Sequence, residues 1–107
     1  MNTINAQQLK HRLDDHTPVM LINAMEENKF RAKHIPGSLN IFRKEDIEKA
    51  LVKEDEIIVY CTDLACNKSV LLYQLLEVMG YKHVYRFAGG MREWEDAGYP
   101  LEGEMIS

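Results

Sequence analysis

The segment spanning residues 56–79 constrains the fold more than any other. Residues 56–61 (EIIVYC) are β-branched and aromatic, the pattern of a buried strand, and the run ends on a cysteine. A short loop, residues 62–67, follows. Residues 68–79 then place Val70, Leu71, Leu72, Leu75, Leu76, Val78 and Met79 on most faces of a helix, so that helix is expected to pack on more than one side. Gly80 is the expected helix stop.

The rest of the chain repeats the alternation of strand and helix. Asn5 is a candidate N-cap for a helix over residues 6–15, with Leu9 and Leu13 on one face, and Thr17-Pro18 ends it. Residues 19–24 (VMLINA) form a short apolar run suited to a buried strand. Residues 26–33 read as a helical turn, Ile35-Pro36-Gly37 as a turn and residues 38–42 as a second short strand. A helix over residues 44–52 turns Ile47, Ala50 and Leu51 inward, and residues 53–56 form a solvated charged turn. Residues 83–87 are another strand, Gly89-Gly90 a turn, and residues 91–97 a last short helix ended by Gly98. Strands alternating with helices imply right-handed crossovers and an α/β fold of three layers, a parallel sheet covered on both faces. Ligands of such sheets sit beyond the carboxyl ends of the strands, where Cys61 lies.

With 107 residues the chain fits one domain, and 46% hydrophobic with 28% charged residues is a globular composition. The net charge of −4 and the absence of a basic stripe argue against a nucleic-acid partner. No run is long and apolar enough for a membrane span. Residues 1–10 are polar, without the apolar core of an export signal, so a cytoplasmic location is expected, with the two cysteines as reactive thiols rather than a structural disulfide. The tail, residues 101–107, is expected to be loosely held. Two cysteines with scattered His11, His16, His34 and His83 lack metal-ligand spacing, so no metal or other cofactor is expected.

A cysteine at a strand–loop–helix junction meets inward-turned backbone N–H groups and the positive end of a helix dipole. Both favour the thiolate, the nucleophilic form, and draw the thiol below its free value of about 8.5. Cys61 is therefore the candidate nucleophile, and Thr62, Asp63, Leu64, Ala65, Cys66, Asn67, Lys68 and Ser69 form its candidate anion-binding loop. Lys68 adds positive charge there and Asp63 opposes it. Arg86, at the end of a strand, is a candidate anion contact as well as a candidate surface residue. Cys66 is a candidate resolving thiol; because its spacing from Cys61 is not Cys-x-x-Cys, the reading as a small loop filler is slightly preferred. His34 is read as structural, and Trp94 and Tyr60 as packed.

Five segments in register resemble the rhodanese family of sulfurtransferases. Residues 19–27 (VMLINAMEE) resemble its strand reading LIDVRE, and His34-Ile35-Pro36-Gly37-Ser38 its HIPGA signature. Residues 57–69 resemble its strand and active-site loop, Leu76 to Tyr81 with Val84-Tyr85 its LxxLGYxxVY, and Gly89-Gly90 to Pro100 its closing GGxxxWxxAGxP. The resemblance implies a rhodanese-like α/β/α fold with a parallel sheet of about five strands. It implies a cycle in which Cys61 takes sulfane sulfur as a persulfide and passes it on. The partners so implied are a small-molecule sulfur donor, a thiol or cyanide acceptor, and optionally a sulfur-acceptor protein. Counted back from Gly80, the loop is two residues longer than the family's, its Arg-Ser pair falls on Lys68-Ser69, and Leu64 stands near the usual loop Gly. A gapless count puts Cys66 at the Arg position instead. The family's Asp-Val-Arg is Asn23-Ala24-Met25. Rhodanese-fold phosphatases use Cys-x5-Arg; here no Arg follows Cys61 before Arg86. The remaining alternatives are a dithiol redox protein using Cys61 and Cys66, and a non-catalytic binding module. The sequence carries no oligomer signal.

Overall fold

The computed structural model describes residues 1–41 and 43–105. Phe42, the end of the expected second strand, and the last two residues of the tail lie outside the described residues. Five strands, β1 (Thr3–Ile4), β2 (Met20–Asn23), β3 (Leu39–Asn40), β4 (Glu56–Tyr60) and β5 (His83–Phe87), form one parallel sheet in the order β1-β5-β4-β2-β3. The helices are α1 (Ala6–Asp14), α2 (Glu27–Ala32), α3 (Lys44–Ala50), α4 (Lys68–Val78) and α5 (Gly90–Asp96).

The central position of β4 follows from its side chains. Ile57, Ile58, Val59 and Tyr60 are all fully buried, so both faces of the strand need cover. Ile58 and Tyr60 join one core cluster with Leu9 of α1 and Met91 and Trp94 of α5. Ile57 and Val59 join the other with Ile47 of α3 and Leu72, Tyr73 and Leu76 of α4. The period-two alternation of a strand thus sends successive residues into two separate cores, giving the three layers. Ladder neighbours β2 and β5 pair with β4 in register from Met20↔Ile57 to Asn23↔Tyr60 and from Glu56↔His83 to Tyr60↔Phe87.

Local chemistry sets the helix ends. Asn5 caps α1 as expected, its side chain accepting from the Gln8 N–H while Gln8 Oε1 accepts from the Asn5 N–H, a reciprocal capping box. At the far end of α4, Gly80 takes a positive φ of 96°. This lets the Tyr81 N–H reach back to the Leu76 carbonyl at 3.1 Å.

Three expectations change. β1 lies within residues 1–10, which read as polar and, from residue 6, as helix; at two residues, with only Ile4 buried, it is too short to show a period, and it exists because β5 offers it an edge at Thr3↔Arg86 and Ile4↔Phe87. Helix α4 packs on one side only: Ser69, Leu72, Tyr73 and Leu76 are buried, whereas Leu71 is 63% and Val78 85% exposed. An outer-layer helix has one sheet face to cover, so its surplus apolar residues stay outside. The tail, expected to be loose, is tied down as far as it is described. Glu102 bridges His34 antiparallel, Glu104 and Met105 donate to the carbonyls of Arg31 and Ala32, and Arg31 pairs with the Glu104 carboxylate at 3.2 Å.

His34 and Tyr60 are structural. His34 stacks on Phe30, with Nδ1 2.7 Å from the Phe30 carbonyl and Nε2 3.1 Å from Glu102. The Tyr60 hydroxyl accepts from the Ile35 N–H at 3.1 Å and lies 2.9 Å from Ser38 Oγ, fastening the Ile35-Pro36-Gly37 turn to the central strand. Burial pushes this phenol above its ordinary value, although the bonds to Ser38 and Ile35 pull the other way. Tyr60→Phe leaves the Ile35 N–H buried and unpaired, so denaturant unfolding should show a loss of about 1–3 kcal/mol. An unchanged midpoint would remove the tyrosine from this role.

Candidate active site

Cys61 is the first residue beyond β4 and is 2% exposed. Two elements hold its backbone. On one side β4 ends in register with its neighbours, and the Ala24 N–H extends the ladder to the Tyr60 carbonyl at 2.9 Å. On the other, the start of α5 delivers the Met91 N–H to the Cys61 carbonyl and the Arg92 N–H to the Thr62 carbonyl, each at 2.9 Å. This approach needs Gly90. Its φ is +59°, and a Cβ there would stand in contact with the Cys61 carbonyl oxygen and 3.0 Å from the Thr62 carbonyl carbon. The Gly89-Gly90 pair read as a turn is thus the clamp of the site. The sequence signal was the double glycine ahead of a short helix; what it approaches became visible only in three dimensions.

The cysteines are joined. Cys61 and Cys66 form a disulfide with a Cα–Cα separation of 6.3 Å, inside the usual range for such a bridge. This corrects the expectation of two separate thiols, and with it the reading of Cys66 as a filler. The loop between them is held by its own groups: Asp63 Oδ1 accepts the Ala65 N–H at 3.0 Å, and the Asp63 carbonyl accepts the Cys66 N–H at 3.2 Å. That turn carries Cys66 back over Cys61. Thr62 Oγ1 lies 3.9 Å from Cys61 Sγ, and Leu64, 73% exposed, forms the loop tip.

The other candidate residues are placed elsewhere. Asn67 precedes α4 without a side-chain cap bond. Lys68, expected to add charge to the loop, reaches Glu26 at 3.1 Å. That hydrogen bond and the Lys68 charge hold the exposed Glu26 carboxyl below its ordinary value. Ser69 is 1% exposed and its Oγ accepts from Arg86 Nε at 2.9 Å, so Arg86 braces the first turn of α4 from beneath. The structure therefore brings Cys61, Thr62 and Cys66 together and ties Lys68 and Arg86 into separate contacts. Asn23, at the position of the expected strand Asp, is fully buried and accepts the Met25 N–H at 2.8 Å and the Asn40 amide at 3.3 Å.

Depressions surround the loop at the carboxyl edge of the sheet. One, of about 290 Å³, is walled by Thr62, Asp63, Met25, Lys33 and Arg92, with Lys33 paired to Glu95 at 2.8 Å. Another, of about 320 Å³, is apolar: Ala24, Met25, Leu71, Leu72 and Leu75 line it, with the Lys68–Glu26 pair at its rim. Among the described residues no group of three or more His, Cys, Asp or Glu is placed to hold a metal ion, and no helix is long and apolar enough to cross a membrane.

The sequence profile of the rhodanese-like domain matches residues 5–97. The chain is 36% identical over 87 residues to the adenylyltransferase and sulfurtransferase UBA4 of Candida albicans, which covers 72% of this chain and 19% of that protein. It is 26% identical over 93 residues to the putative sulfur carrier protein YrkF of Bacillus subtilis, covering 85% of this chain and 49% of that one. The chain thus spans half or less of the length of these curated relatives. Among solved structures, the BH2092 protein of Bacillus halodurans superposes with a TM-score of 0.90 at 23% identity, covering 97% of this chain and 78% of that one. A rhodanese-like domain protein from Staphylococcus aureus gives 0.82 at 24% identity, covering 97% and 99%. The chain belongs to the rhodanese-like domain family, and the five-stranded parallel sheet is the fold of these neighbours.

Gly90→Ala should disturb the site through the backbone. The left-handed conformation alone costs about 1–3 kcal/mol for a non-glycine residue, before the Cβ displaces the Cys61 carbonyl. Thermal unfolding should shift down, and amide exchange at Met91 and Arg92 should accelerate. Native stability and exchange in the variant would contradict the clamp.

Proposed function

We propose that this rhodanese-family chain is a sulfurtransferase or sulfane-sulfur carrier that works through a persulfide on Cys61. The observation that carries the reading is the place of Cys61: the carboxyl end of the central parallel strand, where ligands of such sheets bind, with its carbonyl fixed by α5. Relatives named as a sulfurtransferase and a sulfur carrier support it.

The chemistry starts from the reduced protein, with the Cys61–Cys66 bridge opened. The Cys61 thiolate attacks the outer sulfur of the donor. A new S–S bond forms at Cys61, the donor's own S–S bond breaks, and sulfite (from thiosulfate) or a thiolate (from a persulfide) leaves with the electron pair. An acceptor thiolate or cyanide then attacks the outer sulfur of the Cys61 persulfide. The sulfur departs as a new persulfide or as thiocyanate, and Cys61 returns as thiolate. The Thr62 hydroxyl, 3.9 Å from Cys61 Sγ, is the side-chain donor placed to contact the anion. The depression beside Thr62, lined by Lys33 and Arg92 together with Asp63, Glu95 and Asp96, is the room for a small donor. A small-molecule donor and a thiol, cyanide or sulfur-carrier-protein acceptor are the partners of this cycle.

Reduced protein treated with thiosulfate should release sulfite as Cys61 takes up sulfur, and should yield thiocyanate when cyanide is present. Cys61→Ser should do neither. Sulfur retained by that variant, or none taken up by the wild type, refutes the proposal. The loop charge gives a second check. Asp63→Asn keeps the oxygen that accepts the Ala65 N–H and removes a negative charge two residues from the nucleophile. The reduced variant should therefore be alkylated at Cys61 at lower pH than the wild type. A shift to higher pH would show that the carboxylate does not oppose the thiolate.

A further inference from the structure

The structure assigns Cys66 a catalytic part: it releases the sulfur stored on Cys61 as hydrosulfide, making the chain a persulfide-to-sulfide converter as well as a carrier. This inference rests on the persulfide reading of Cys61.

The geometry that points to it is the bridge. Cys66 Sγ is bonded to Cys61 Sγ, the sulfur that remains attached to the protein when a persulfide forms, with the Cα atoms 6.3 Å apart. The loop reaches this arrangement with its internal bonds in place, the Ala65 N–H on Asp63 Oδ1 and the Cys66 N–H on the Asp63 carbonyl. The target is equally fixed, because the Met91 N–H holds the Cys61 carbonyl and Gly90 leaves room for it to do so. Cys66 is half-buried against the core cluster that contains Cys61, so its sulfur is directed inward rather than at solvent. Lys68 and Arg86 are engaged with Glu26 and Ser69, which leaves Cys66 as the reactive group the loop presents to Cys61.

The step balances within the site. The Cys66 thiol attacks the inner sulfur of the Cys61 persulfide. The Cys61–Cys66 S–S bond forms, and the bond between the inner and outer sulfurs breaks. The outer sulfur leaves with that electron pair and takes the Cys66 proton, departing as HS⁻. Two cysteine sulfurs are oxidised to a disulfide as one sulfane sulfur is reduced to sulfide. A dithiol reductant then exchanges with the bridge, leaving two protein thiols and its own disulfide. Attack on the outer sulfur instead would only move the persulfide to Cys66; the bonded pair in the structure favours the inner sulfur.

The test uses the full chain, reduced, freed of reductant, kept anaerobic and treated with thiosulfate. Wild type should release sulfide without any added acceptor, in step with a Cys61–Cys66 peptide lighter by two hydrogens. Cys66→Ser should release none and should retain Cys61 persulfide at about tenfold or more above the wild type. A wild type that keeps its persulfide as Cys66→Ser does, or that carries persulfide on Cys66, overturns the inference while leaving the carrier reading intact. If neither the wild type nor Cys66→Ser releases sulfite from thiosulfate, although both fold alike by circular dichroism, the carrier reading fails and the inference with it.

Discussion

The double-sided burial of β4 is the constraint on which the rest of the structure depends. Four consecutive residues, Ile57 to Tyr60, are removed from water, and each fully buried side chain of this size is worth roughly 1.5–3 kcal/mol. A strand cannot bury both faces without layers on both sides, so α1 and α5 are required on one face and α3 and α4 on the other. A strand in the middle also needs a partner on each edge. β2 and β5 supply them, and their parallel direction places all three carboxyl ends together. The site is the consequence. Cys61 begins where pairing stops, at the point where a backbone leaving the sheet is bounded by neighbours on two sides.

The contrast between the two cysteines follows from that placement. Cys61 belongs to the framework: its carbonyl is bound by α5, and its side chain is packed in the core cluster with Met91 and Trp94. Cys66 belongs to the loop and is positioned by short-range bonds to Asp63. The loop's bonds at Asp63 therefore set how the loop-borne sulfur meets the framework one. Three nearby cations are held by neighbouring side chains. Lys68 is on Glu26, Lys33 on Glu95, and Arg86 on Ser69, so the site is not an open basic cradle.

Much of the architecture was legible in residue patterns. The strand over residues 56–61, the helix from Lys68 and the Gly80 stop all stand close to where their patterns place them, because continuous apolar runs and a left-handed glycine are local signals. The Asn5 cap was legible for the same reason. What the patterns missed is short or non-local. β1 consists of two residues and owes its pairing to β5, more than 80 positions away. Leu71 and Val78 look like core residues in a helical pattern, yet hydropathy cannot say which side of a helix a sheet will cover. The tail's bonds to Arg31, Ala32 and His34 depend on where α2 lies.

By itself the sequence determined the strand that ends on a thiol, the helix that follows and the alternation that makes the sheet parallel. These rest on side-chain chemistry read a few residues at a time. The tertiary structure alone decided the state and neighbours of that thiol. Whether Cys66 meets Cys61 depends on the turn at Asp63; whether Lys68 and Arg86 face the loop depends on Glu26 and Ser69, supplied by other elements. The fit of Gly90 against Cys61 depends on two segments 29 residues apart arriving at one point. Contacts of this kind are set by the meeting of surfaces and by the hydrogen bonds that close over them, and one-dimensional spacing does not encode them.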